Sequence, residues 1–468
     1  MERIMNDASL PQSKKSLKVV LLPPINRKYD PVKMAMMAPM DIGLGYVEAA
    51  CTKEGADVTL LSWKDNLEIG DFQHKLLKIE PDIVGVKVFT TLFNESYETL
   101  RSIREVLPNA VTVIGGPHPS TSRPEDIFAE YGSLLDFAIA GDGESGIVEL
   151  IKQVRIAGGK PDADALLHVP GLMYRKDDGV FCNDPYLDAE LDTLAPMNYS
   201  IQQPAWFGSF HGVDDVSIGA SIEDSRGCKN RCGFCRCHKI NGSAARHRSM
   251  ESLWSVIDEL VHKYNVRVLD FMGNSFMSDV DYVRELCRRL IEFPIPLRWT
   301  CTGAAYVRNL RDPGLLELMR RAGCFRIQFG IESGNPDVRE RLCQPVSLDD
   351  YNEIVNLTAK TGIRASCYFM FGFPDETIEE MNDTIKYAFS LPYDSVGFRI
   401  CLPLPGTSSY KAVLEQNGID RIDWSTYNFP NPNLLPSKAS PVQVRRKYLE
   451  AKILSRSRLA RGLYRLIH

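Results

Sequence analysis

The 468-residue chain predicts an α/β protein made of two successive βα series. Three observations carry that reading. Short apolar runs alternate with helically spaced segments across residues 17–155. A second alternation of the same kind fills residues 216–425. The stretch between them, 156–215, reads instead as a connector holding one hairpin.

Residues 1–16 read as a disordered tail. The first strand, 18–22, ends at Pro23-Pro24, and residues 42–54 carry helical spacing that stops before Gly55. Strands follow at 57–61 and 82–88, and Leu100, Ile103 and Leu107 mark one face of a helix. Residues 110–114 form a strand that runs into Gly115-Gly116-Pro117-His118-Pro119. The last strand, 137–140, precedes Gly141-Asp142-Gly143-Glu144. Five such units predict a doubly wound, Rossmann-like parallel sheet, whose ligands bind beyond the carboxyl ends of the strands. The turns 23–29, 88–95, 115–120 and 141–144 fall at those ends. In the connector, 170–175 and 177–180 read as the hairpin.

The second series begins with a strand at 216–221. Leu253, Val256, Ile257, Leu260 and Val261 make an amphipathic helix after Ser249, a capping residue. Further strands are predicted at 266–271, 297–303, 325–332, 365–371 and 395–402. Six parallel units fit a partial (β/α)6, TIM-like barrel, in which functional groups gather at the carboxyl strand ends. Residues 426–468 form a basic segment with an apolar side that includes Leu449, Ile453 and Leu454. It reads as a helix packed on the barrel, the alternative being a face for anionic lipid or a partner.

A formal net charge of −5 gives no general pull toward nucleic acid. No run is long enough to span a bilayer, and the polar N-terminus lacks a signal-peptide core. Twelve cysteines spread over so long a chain suit a reduced, cytoplasmic setting, and most of them suit apolar cores. Three do not fit that description. Cys228, Cys232 and Cys235 stand at C-x3-C-x2-C spacing just after the first barrel strand and the turn 224–227. Three close thiolates can hold three irons of a cubane cluster and leave the fourth open to a small molecule. Cys237 and His238 follow at once, which keeps a zinc site as the alternative. Structural zinc sites, however, usually pair two short ligand couples across a longer loop.

The cysteine spacing and its flanks resemble the radical S-adenosylmethionine (SAM) superfamily. That resemblance implies a [4Fe–4S] cluster whose open iron is chelated by SAM. It also implies roles by position. Phe234 would offer backbone contacts to adenine. Gly273 and Asn274 stand where the family uses Gly-Gly-Glu for the SAM amine, so here an amide carbonyl or the backbone must accept that bond. Glu332, within Gly330-Ile331-Glu332-Ser333-Gly334, matches the acid the family often sets on the SAM ribose. Its alternative is a salt-bridged acid at the barrel mouth. The turn at Pro403 closes the same end. Arg246 and Arg248 read as residues of a solvated loop, or as groups facing an anion.

The first series resembles the cobalamin-binding domain that precedes the barrel in one large subgroup of that superfamily. The matching pieces are Pro23-Pro24, residues 41–46, residues 81–85, the Gly116 to His118 turn and the Gly141 turn. By resemblance a corrinoid would lie among Asn26, Phe89, Thr90, Gly116, His118 and Gly141, facing the cluster. The Asp-x-His-x-x-Gly signature is absent, so cobalt would lack a protein imidazole, and His118 reads as a turn residue. The alternative is a sheet that kept the fold and lost the corrinoid. The resemblance implies a methyltransferase acting at an unactivated carbon or phosphorus centre of a small molecule, through a 5′-deoxyadenosyl radical and methylcobalamin. Electrons would come from an external flavodoxin- or ferredoxin-type donor. Two rivals stay open: cyclisation, rearrangement or oxidation without net methylation, and a non-catalytic iron–sulfur or zinc scaffold.

Overall fold

The computed structural model describes residues 16–25, 41–62, 67–185, 190–199, 205–206, 218–301, 306–417 and 438–457, together with Asp65, Leu187, Asp423, Trp424 and Tyr427. The readings made for residues 1–15, Asn26 and residues 458–468 lie outside the described residues.

The first sheet has seven strands: β1 (Lys18–Leu22), β2 (Asp57–Leu60), β3 (Ile83–Lys87), β4 (Val111–Gly115), β5 (Phe137–Ile139), β6 (Leu172–Lys176) and β7 (Gly179–Cys182). Their spatial order is β2-β1-β3-β4-β5-β6-β7, and β1 to β5 are parallel. Helices cover both faces, as a doubly wound sheet requires. Ile42–Lys53 and Gly143–Ala157 bury Leu44, Ile147, Leu150 and Ile151 on one side. Ile69–Ile79, Phe93–Val106 and Pro124–Tyr131 bury Phe72, Leu76, Leu100, Ile103 and Phe128 on the other. The strands between them read as unbroken apolar runs because both of their faces are covered.

The hairpin of the connector belongs to this sheet. β6 pairs antiparallel with β5, setting Ala138 opposite Met173, and β7 closes the edge. Leu172, Met173 and Tyr174 are buried by that docking. Gly171 permits it: a Cβ there would stand 2.4 Å from the Ala140 carbonyl oxygen.

The second sheet comprises β8 (Ala205–Trp206), β9 (Ile218–Ile222), β12 (Val268–Phe271), β13 (Arg298–Cys301), β14 (Cys324–Glu332), β15 (Arg364–Phe371) and β16 (Ser395–Ile400). Their order is β16-β15-β14-β13-β12-β9-β8. Six of the seven run parallel, and β8 pairs antiparallel with β9. Alternation sorts the side chains. Ile327, Phe329 and Ile331 of β14 enter the core beneath the outer helices, which leaves Arg326, Gln328, Gly330 and Glu332 on the inner face. Between β9 and β12 a short antiparallel ladder, β10 (Ser225–Arg226) with β11 (Arg246–His247), pinches off the loop that carries the cysteines.

The helix Pro441–Arg456 is capped by Ser440 and Gln443 and packs on the barrel through Val444, Tyr448, Ala451 and Leu454. The apolar side read from the sequence is therefore divided. Leu454 is buried, whereas Leu449 is 49% and Ile453 62% exposed. No described helix is long and apolar enough to cross a membrane. Leu402, Val413, Trp424 and Tyr427, which follow the last barrel strand, pack into the core of the first sheet and so tie the two units together.

Candidate functional site

The cysteine loop starts at a glycine no other residue can replace. Gly227 has φ +85°, and a Cβ there would stand 1.9 Å from the Ala244 carbonyl oxygen. The Cys228 amide then donates to Gly242 O at 3.1 Å, and the Cys235 amide to Cys232 O at 3.0 Å. Gly233 anchors the loop to the barrel rim. Its amide donates to Leu342 O (2.9 Å), and its carbonyl accepts from the Ser408 hydroxyl (2.9 Å) and the Ser409 amide (3.2 Å). Phe234 packs on Phe373 at a centroid distance of 5.7 Å, beside Val338 and Leu342. Cys237 opens a short helix, Cys237–Ile240, and its amide points at Cys235 Sγ from 3.5 Å.

Cys228 is 8% exposed, and Cys232 and Cys235 are half-buried. Burial pushes the Cys232 thiol up to about 12, and the like charges of Cys235 and Cys228 push the same way. Burial also raises Cys235, against the bond from the Cys237 amide. Among the described residues, no group of three His, Cys, Asp or Glu side chains is arranged to hold a single metal ion. A cubane cluster takes its thiolates on separate irons, whereas zinc draws its ligands onto one ion. Three thiols on one anchored loop offer the separate thiolates that a cubane cluster takes.

Glu332 ends β14 in the left-handed region, with φ +70°, where the ladder to β15 shifts register. Strain of this kind in a residue with a side chain often marks a functional position. A Cβ on Gly330 would stand 2.6 Å from Glu332 Oε1, so that glycine leaves the carboxylate room. Burial lifts the Glu332 carboxyl to about 7, with the Arg339 guanidinium pulling the other way. Arg339 itself is spent on the carbonyls of Ile331, Ser333 and Val346. Among the described residues, no ion pair joins it to Glu332. Gly273 donates its amide to Asp224 Oδ1 at 3.0 Å, and a Cβ there would meet that carboxylate at 2.4 Å. Burial raises Asp224 to about 6. Asn274 donates through Nδ2 to Asn241 Oδ1 at 3.3 Å, leaving its own Oδ1 as the acceptor it can offer. Pro403 is buried in the turn after β16.

A solvent-open cavity lies at the carboxyl ends of β1, β3, β4 and β5. Gly43, Gly85, Gly116 and Gly141 form part of its wall, and Glu223, Arg226 and Asn241 close it from the barrel side. Lys87 stands at its edge, paired with Asp41 at 2.5 Å and lying 5.1 Å from the Phe89 ring centroid. Glycine walls and apolar strand ends fit a large flat ligand or its tail.

The boundary of this cavity is an ion network between the two units. Arg226 reaches Glu144 at 2.7 Å, Glu223 at 2.9 Å and Asp142 at 3.4 Å, and Arg246 reaches Asp142 at 2.9 Å. Burial pushes the Glu223 carboxyl up, against the pull of Arg226. Arg248 is buried. It donates to the carbonyls of Glu223 and Leu191 and lies 5.0 Å from the Tyr46 ring centroid. The solvated-loop reading of Arg246 and Arg248 is therefore corrected: both are interior parts of the seam. Sequence reasoning placed Asp142 and Glu144 only within the turn after the fifth strand, and Arg226 only within the turn 224–227, without a role for any of them. The available signal was opposite charges at the strand ends of both series.

Two residues expected to face a corrinoid face protein instead. Thr90 is 1% and His118 0% exposed. Thr90 Oγ1 meets His118 Nδ1 at 3.2 Å, and the imidazole stands edge-on to Phe93 and Trp424. The aromatic rings that follow the barrel cover this turn, which no local signal in the turn itself reveals. Phe89 is half-buried beside Lys87, and Gly116 and Gly141 do line the cavity.

Comparison with known proteins agrees with both halves. A family model for the radical SAM superfamily matches residues 222–388, and one for the B12 binding domain matches residues 38–151. The chain is 27% identical over 422 residues to an uncharacterized methyltransferase, PH0819, of Pyrococcus horikoshii, covering 89% of this chain and 88% of that protein. It is 25% identical to the cytidylyl-2-hydroxyethylphosphonate methyltransferase of Streptomyces wedmorensis, over 88% and 84% of the two chains. It is 24% identical to the anaerobic magnesium-protoporphyrin IX monomethyl ester cyclase of Rubrivivax gelatinosus, over 80% and 65%. Among solved structures, the radical SAM methyltransferase TsrM from Kitasatospora setae, with cobalamin and a [4Fe–4S] cluster bound, superimposes with a TM-score of 0.66 at 20% identity, covering 92% and 82% of the two chains. The cobalamin-dependent radical enzyme OxsB gives a TM-score of 0.70 at 16% identity, covering 94% and 67%.

Proposed function

The chain belongs to the radical SAM enzymes that carry a B12-binding domain, and from that premise we propose that it is a methyltransferase acting at a carbon or phosphorus centre of a small molecule. One observation carries the reading. The cavity of the first sheet is closed by Glu223, Arg226 and Asn241, which flank the cysteine loop, so ligands of the two units would meet there. Two relatives aligned over most of their length are named methyltransferases, which favours methyl transfer.

Cys228, Cys232 and Cys235 would hold the [4Fe–4S] cluster. Glu332 would accept hydrogen bonds from the SAM ribose, and Asn274 Oδ1 from the SAM amine. Gly273, the Phe234 backbone and the Pro403 turn would complete that end. The corrinoid would lie against the glycine wall at Gly116 and Gly141, near Phe89, with no protein imidazole on cobalt. When bound, these groups supply the radical and methyl-transfer chemistry, while the protein positions them and excludes water. The buried seam around Arg226 serves the exclusion. A flavodoxin- or ferredoxin-type donor would supply electrons, and the cytoplasm suits an oxygen-sensitive cluster.

Ring closure without methylation is the second reading, favoured by the cyclase relative. The test is product analysis by anaerobically reconstituted enzyme with methyl-labelled SAM and candidate acceptors. Label in the product supports methyl transfer. A converted but unlabelled product gives the second reading.

A further inference from the structure

The helix Pro441–Arg456 has two apolar faces. Val444, Tyr448, Ala451 and Leu454 are buried against the barrel. Val442, Leu449 and Ile453 recur at i, i+7 and i+11, and 3.6 residues per turn stacks them in one row on the opposite side. They are 77%, 49% and 62% exposed. Apolar residues scattered singly over a surface are ordinary. These three form a ridge, on a helix already anchored by its other side.

Charge flanks the ridge. By the same geometry Arg446 borders it on one side, and Arg445 and Arg456 on the other. All three arginines are exposed. Among the described residues none of them forms an ion pair, whereas Lys447 is paired with Glu450 at 2.8 Å. The whole chain carries −5, yet residues 441–468 hold eight lysines and arginines and one acid, Glu450. Positive charge is thus gathered in one segment of an otherwise acidic chain. An apolar ridge between such arginines matches a surface that is anionic at its face and apolar beneath, which is the interface of a bilayer with anionic headgroups. A second copy seated face to face would instead bring like charges together.

We infer that this helix docks the protein on an anionic membrane surface: Val442, Leu449 and Ile453 enter the headgroup boundary, and Arg445, Arg446 and Arg456 meet the lipid phosphates. The inference is independent of the catalytic reading, since neither the cysteine loop nor the cavity takes part in it.

The test is co-sedimentation of the full-length protein with vesicles of phosphatidylcholine alone and of phosphatidylcholine mixed with phosphatidylglycerol. The protein should bind the mixed vesicles and not the neutral ones. Raising salt from about 0.1 M to about 1 M, which cuts the screening length from about 10 Å to about 3 Å, should weaken binding. Arg445→Gln, Arg446→Gln and Arg456→Gln in one variant should weaken it about a hundredfold, at about fivefold for each basic residue near such a surface. Leu449→Asn with Ile453→Asn should weaken it by at least about tenfold. Both sets lie on the exposed face, so each variant should keep the wild-type thermal midpoint. A wild-type protein that stays in the supernatant with mixed vesicles overturns the inference. So does binding that persists in either variant, which would place the contact on another face. A dimer of the wild type that the Leu449→Asn, Ile453→Asn variant dissociates would give the ridge to a second copy, and overturns it equally.

Discussion

Cys235 and Cys237 lie two residues apart, but their surroundings differ. Cys235 sits in the anchored loop and accepts from the Cys237 amide, whereas Cys237 opens the helix that follows. Cys228→Ala, Cys232→Ala and Cys235→Ala should each abolish the cluster, and Cys237→Ala should retain it, as read by iron and sulfide content. Glu332→Gln should leave the cluster in place and weaken SAM binding. The loss of charged hydrogen bonds to the ribose predicts about 1.5–3 kcal/mol, readable by equilibrium dialysis. Unchanged affinity in a folded variant would make Glu332 a structural acid. At this scale legibility was uneven. The thiols declared themselves by spacing, and Glu332 by its flanking glycines. Arg248 was opaque, because a lone arginine in a turn says nothing of the Tyr46 ring beneath it.

The turn after β15 shows how an element end is built from a buried acid. Glu376 Oε2 accepts from the amides of Gly372 at 2.6 Å and Phe373 at 3.0 Å. Burial pushes the carboxyl up to about 8 despite those bonds. Its folded value thus lies above its value in the unfolded chain, near 4.5. Between those values the native state binds more protons, so stability is full at low pH and is lost as pH rises through the folded value. Glu332 and Asp224 add to the same trend with values about 7 and about 6. Urea unfolding of the cofactor-free protein should therefore show a lower free energy at about pH 8.5 than at about pH 5.5. Glu376→Gln should flatten that fall, and an undiminished fall in the variant would locate the titration elsewhere. The strands themselves were readable, since apolar runs between turn residues specify them. The docking of β6 on β5 was not, because a hairpin's local pattern names its own turn and not the edge it will join.

The whole molecule is held by a seam in which charge, aromatic packing and loop closure all cross between the units. Arg226 faces three carboxylates with almost no exposure to water. Removing one partner from such a buried network leaves charge uncompensated, at a cost of about 3–5 kcal/mol. Arg226→Met should accordingly lower the urea midpoint strongly and, by opening the cavity wall, weaken corrinoid binding. A variant as stable as wild type would show the units to be held elsewhere. The order of the two units was legible from their separate alternations. Their mutual closure was not, because it depends on residues such as Asp142 and Arg226 that lie 84 positions apart (226 − 142). The central claim is that one chain carries both a [4Fe–4S] cluster and a corrinoid without a protein imidazole on cobalt. The most direct measurement is metal, sulfide and corrinoid content of the anaerobically reconstituted protein, followed by electron paramagnetic resonance of its cob(II)alamin form. The account predicts about four irons and about four sulfides, with one corrinoid per chain and a cobalt signal free of nitrogen coupling from the protein. Iron near zero with stoichiometric zinc, or no bound corrinoid, would contradict it.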